Sequence, residues 1–252
     1  SCGVNSGTAV PYGTLYNPLP LICLSGEWFL MASTFYVAFP ASARLQGNLR
    51  RFLDEVEAEP TVSHLHQLEP IGEDFVSDLL ACFFDAPMAA VGAQGSVASM
   101  IQSGVKVINK AARALLRNLL SKATLQDQGK LAAYFGAMVV ERDGRMMLAF
   151  PLDNAHGARL EAAYAAFLNG QSGQTPALVD GMKAICDGAL VHYLDGIVGC
   201  VKLNAFNRGM VGTARATIRK AGMMAIEKGL PAMSREQKAP VVAHFQGLLV
   251  TR

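Results

Sequence analysis

Residues 177–206, ALVDGMKAICDGALVHYLDGIVGCVKLNAF, form a long proline-free stretch whose apolar residues keep helical spacing. Leu178, Met182, Ile185, Ala189, Tyr193, Ile197 and Phe206 fall close to one side, while Asp180, Lys183, Asp187 and Lys202 fall elsewhere. That is the pattern of a core helix, so one helix from Ala177 to Phe206 is expected, with other helices packed around it. Gly188, Gly196 and Gly199 lower its helix propensity, and the compensation expected is close approach by a neighbouring helix.

Working outward, the segment from Asn154 to Leu168 reads as a helix ended by Asn169-Gly170, and a Gly/Ser/Thr loop leads to Pro176 at the start of the central helix. Downstream, Arg208–Lys228 reads as a basic helix closed by Gly229 and Pro231. A last helix follows from Ser234, its cap, to Val250. Upstream, Glu141-Arg142-Asp143-Gly144-Arg145 separates two apolar runs, and the Asp-Gly step suits the positive backbone angles of a tight turn. Ser96–Ser121, Glu73–Asp85 and Ala43–Ala58 are amphipathic helices by the same periodicity. Between the last two, Thr61–Leu68 reads as strand or loop, with Pro70 and Gly72 as punctuation. Thr34–Phe39 reads as an edge strand stopped by Pro40. The expected fold is mainly α: a single-domain multi-helix bundle over residues 31–252 with one small β-hairpin near 137–150.

Residues 1–30 read as an irregular segment, uncharged as far as Gly26. The expected native start is Met31, because Ser25-Gly26-Glu27 is what a purine-rich ribosome-binding sequence encodes when read through. No basic start precedes the apolar run around Leu21, so a secretory signal is not expected. Glu27 stands at the centre of that run, which argues against a membrane span. With 252 residues, 51% of them apolar, the chain can build one substantial core. A net charge of +2 implies no global field toward nucleic acid or membrane. Five scattered cysteines without a C-x-x-C pair suggest neither a disulfide framework nor a zinc cluster, and a reducing, cytoplasmic setting is expected.

Local charge is uneven. Asp54–Asp85 holds nine acids and no Lys or Arg, and no acid occurs between Asp85 and Asp127. In that acid-free stretch Lys106, Lys110, Arg113 and Arg117 recur at helical spacing on one face. Arg208, Arg215, Arg219 and Lys220 give the helix at 208–228 a second basic face. Several cations on a rigid face neutralise successive phosphates, so these eight residues are the anion-binding candidates. The competing account is that they dock on the acidic Asp54–Asp85 region, within the chain or between copies of a homo-oligomer.

Signals for chemistry are weaker. Gly92-Ala93-Gln94-Gly95-Ser96-Val97-Ala98 has the spacing of a phosphate-cradling turn, but Pro87 and alanines stand where a buried strand should precede it. A loop with Ser96 as helix cap is the plainer reading. His64 and His66 would share one side of a strand and could meet a metal, though no third ligand can be placed, and no metal site is assigned. Cys186 and Cys200 diverge from His192 along one helix, so no nucleophile–base pair is expected there. The function expected is a non-enzymatic binding or interaction protein whose basic helical faces hold an anionic partner: nucleic acid, an acidic protein surface or a lipid headgroup. The alternative is a helical-bundle enzyme or carrier with a small-molecule pocket near the central helix, lined by Tyr193, His192 and the methionine-rich elements.

Overall fold

In the computed structural model, residues 35–92 and 96–251 are described, apart from the side chains of 96 and 97. The expectations for residues 1–30 and a start at Met31 lie outside them, as do residues 93–95 of the Gly92–Ala98 turn and the Ser96 side chain expected to cap the helix. The fold is mainly α, with a four-stranded antiparallel sheet.

Asp143 and Gly144 take the positive φ values of 52° and 71° that a two-residue hairpin turn requires. They join β2 (Val139–Arg142) to β3 (Arg145–Leu152), so the expected hairpin is present. It belongs to a larger sheet in the order β2-β3-β1-β4, with β1 at Phe35–Pro40 and β4 at Leu249–Thr251. β1 is therefore internal, pairing with β3 along its whole length and with β4 over Phe35–Val37. The edge placement expected for it is corrected. Pro40 stands at the strand's end, opposite Met147, and removes no donor from the interior of the ladder. Alternation sends Val37, Phe39, Leu148 and Phe150 into the main core. Each is fully buried, a contribution of roughly 2–3 kcal/mol per large side chain.

The helices form the other layer. α1 (Ala43–Ala58) is capped by Ser42 and buries Leu45, Leu49 and Phe52. α2 runs from Leu65 to Leu80 with Pro70 inside it, correcting the strand or loop at 61–68. Pro70 is the sixth residue of α2, so the helix loses a single early hydrogen bond. Gly72 is where Leu120 packs, its Cδ1 3.0 Å from the position a Cβ would take. Buried Asp74 of α2 accepts from Arg44 Nε at 2.6 Å and Asn48 Nδ2 at 2.9 Å, tying α1 to α2. α3 is Ala86–Val91, α4 is Ser96–Leu120, and α5 (Leu125–Met138) opens with a Thr124/Asp127 capping box.

α6 (Asn154–Leu168) and α7 (Thr175–Ala189) follow the sheet. α7 continues through a widened turn at Leu190–Asp195 into α8 (Gly196–Gly199), where the central helix ends. The expected extension to Phe206 is corrected. Asn204 caps a new helix, α9 (Ala205–Met224), accepting from Asn207 N at 2.8 Å, and Phe206 is 76% exposed on its first turn. α10 (Leu230–Ala232) and α11 (Arg235–Leu248) complete the chain. Ser234 and Gln237 form the capping box of α11.

Long α4 and α9 run antiparallel. Gly104 faces the Ala221 carbonyl at one end, and Asn118 meets Met210 Sδ at 3.8 Å at the other. α2 packs outside α4, and α7 packs against both α9 and the sheet. Tyr193 joins the layers: its ring meets Phe39, Phe75 and Phe150 edge-on at centroid distances of 5.5, 5.3 and 5.0 Å. Its hydroxyl donates to the Leu148 carbonyl at 2.8 Å. Among the described residues no helix is long and apolar enough to cross a membrane.

Candidate functional site

A helix that admits one extra residue into a turn forms a π turn, a local widening that is uncommon and concentrates at functional sites. Three occur among the described residues: Ala81–Asp85 after α2, Leu190–Asp195 after α7 and Ala225–Gly229 after α9. All three supply wall to one apolar cavity, through Phe83 and Phe84, through Leu190, Tyr193 and Leu194, and through Ile226.

The cavity measures about 140 Å³ and is also walled by α2, α4, α7, α9 and Phe245 of α11. Small residues leave the space: Ala112 of α4, Ala189 of α7 and Gly222 of α9 stand where the helices converge. Gly222 is held small, since a Cβ there would lie 2.9 Å from Cys186 Sγ. An apolar void of about this size stays dry and accepts a ring as large as benzene.

Its wall is almost wholly hydrocarbon. Cys186 and Tyr193 are the titratable side chains in it. Burial, reinforced by Asp187 and opposed by Arg219, pushes the Cys186 thiol up to about 11, so it is a neutral thiol at pH 7. The Tyr193 hydroxyl is raised well above its ordinary value, first by burial, and is committed to Leu148. The pocket residues anticipated beside the central helix divide accordingly. Tyr193 lines the cavity, whereas His192 stacks on Phe150 at 5.7 Å and 18°, and the methionine pairs 146–147 and 223–224 are not in its wall.

Two further hollows adjoin. One of about 80 Å³ shares Phe83, Phe84, Met182, Ile226 and Phe245 with the cavity. The next shares Phe84, Met88 and Ile101 with that one and is bounded by exposed Asp85, Gln102 and Lys106. Phe84 borders all three.

The eight basic candidates separate into two groups. Arg113 pairs with Glu73 and donates to Ser77 Oγ at 2.6 Å, and Arg117 lies 3.2 Å from Glu69 and 3.0 Å from Glu73. Arg215 and Arg219 pair with Asp195 and Asp187, each at 2.8 Å. The α4 arginines therefore turn to α2, and the α9 arginines turn to α7 and its π turn. Lys106, Lys110, Arg208 and Lys220 make no ion pair among the described residues.

Other sequence candidates are accounted for by structure. His64 is buried ahead of α2, its Nδ1 3.2 Å from Glu55 and its backbone N–H donating to Gln128. His66 is exposed on the first turn of that helix, so the two rings diverge, and no cluster of three or more metal-binding side chains occurs among the described residues. Cys82 Sγ comes 4.0 Å from His244 Nε2, a pairing the sequence gave no sign of. The same nitrogen lies 2.8 Å from the Cys82 carbonyl, and burial with Asp78 pushes the thiol up to about 12. That arrangement opposes a thiolate.

No protein family, curated protein or solved structure matches this chain.

Proposed function

We propose that the protein is a binding or carrier protein that holds a small apolar molecule, or the apolar end of a larger one, in the cavity between α2, α4, α7 and α9. One observation carries this reading: three π turns from separate parts of the chain border a single hydrocarbon-walled void. Each π turn interrupts regular helix hydrogen bonding, and close packing normally fills a void of this size. Their coincidence around one hole is the pattern of a site shaped for an occupant.

The reading in which basic faces hold a polyanion retains Lys106, Lys110, Arg208 and Lys220. It has less support, because Arg113, Arg117, Arg215 and Arg219 already meet carboxylates of the same chain.

Toluene, added at about ten times its dissociation constant, should raise the thermal midpoint by about 3–5 °C. Ala112→Leu, which fills the void from α4, should remove that response while the fold is retained. A wild-type midpoint indifferent to toluene and to other ring-sized hydrocarbons would reject the proposal.

A further inference from the structure

We infer that the ligand class is a linear amphiphile with a singly charged anionic head, a long-chain carboxylate. Its tail lies in the cavity and the adjoining hollow, and its head meets Lys106 at the outer one. This inference rests on the apolar-ligand reading and specifies it.

A headgroup has no place inside, since the wall offers no charge, the Tyr193 hydroxyl is committed to Leu148 and Cys186 brings only a weak S–H donor, while an unpaired buried polar group costs several kcal/mol. The path assigned to the tail follows the three hollows, which share lining residues in sequence, with Phe84 bordering each of them. At the outer end Gln102 and Lys106 stand four residues apart on one face of α4, an amide donor beside an ammonium. Lys106 is exposed and makes no ion pair among the described residues. Arg113 and Arg117, further along the same stripe, are occupied by Glu73 and Glu69, and unpaired Lys110 does not line this hollow, so Lys106 is the cation at this mouth among the described residues. Asp85 on the same rim disfavours a second negative charge and selects a carboxylate over a doubly ionised phosphate.

The test compares dodecanoate with 1-dodecanol, both below their aggregation concentrations, on wild type and Lys106→Ala by competition with a fluorescent apolar probe. Wild type should bind dodecanoate about fivefold tighter than the alcohol at low salt, the upper end of what an exposed ion pair contributes. In Lys106→Ala that preference should vanish with alcohol binding unchanged. Equal affinity in wild type, or a preference that survives the substitution, would overturn the carboxylate assignment. Toluene binding without either dodecyl compound would overturn the amphiphile and leave the apolar site standing. Binding of none of the three would overturn both.

Discussion

At the scale of single residues, burial decides what the titratable groups do. His192 lies against the Phe150 ring, and desolvation lowers its pKa from the usual 6.5. The folded state thus prefers the neutral imidazole. In the window just below pH 6.5 the unfolded chain takes up more protons, so stability rises with pH there. His192 costs nothing above its unfolded pKa, and stability is lost as pH falls through the lower, folded value. The thermal midpoint should therefore fall between pH 7 and pH 5, and His192→Phe should flatten that fall. Parallel curves for the two proteins would disprove the assignment. The sequence places His192 next to Tyr193 on the central helix, which is why both are expected at a pocket. Which of them lines it depends on what packs against each side of that helix, and no local composition encodes that.

Among the elements, glycines in the central helix carry the closest approaches, though not to another helix backbone. Gly188 receives the Phe150 ring from β3 and Gly196 receives the Tyr134 phenol from α5, whose hydroxyl donates to the His192 carbonyl at 2.7 Å. Gly199 meets nothing within 4 Å. Gly196→Ala should destabilise by about 1–3 kcal/mol, overpacking outweighing the roughly 1 kcal/mol gained in helix propensity. Gly199→Ala should be neutral or slightly stabilising. Urea denaturation of both variants distinguishes the cases, and equal midpoints would mean that Tyr134 simply moves aside. Ala43–Ala58 is legible because one face alone is apolar, Asn154–Leu168 because Asn169-Gly170 ends it, and the hairpin because Asp-Gly fits a single turn geometry. α2 is obscured by Pro70 and Gly72, whose tolerance depends on their position in the helix and on Leu120. β4 has three residues and is fixed by pairing with β1 alone. The π turns and the cavity arise from how distant helices meet, and alanines at 112 and 189 read beforehand as ordinary helix formers.

For the molecule as a whole, the uneven charge of the sequence closes on itself in part. The acidic stretch at 54–85 finds its counterpart in α4 through Glu69 and Glu73, and the α9 arginines find theirs in Asp187 and Asp195. The α4–α9 pair is thereby clamped from two sides while its apolar faces enclose the void. These pairs differ in exposure: the Arg113 and Glu73 side chains are 28% and 25% exposed, those of Arg117 and Glu69 60% and 56%. A double-mutant cycle to alanine should give about 1 kcal/mol of coupling for Arg113–Glu73, with little dependence on salt. For Arg117–Glu69 the coupling should be below about 0.5 kcal/mol and disappear at high salt. Replacing both arginines by glutamate should then lower stability by repelling Glu69 and Glu73, so a loss of anion binding in that variant would accompany partial unfolding. Coupling near zero for both pairs, with the charge-reversed protein fully folded, would free these arginines from a structural role and return them to an external partner.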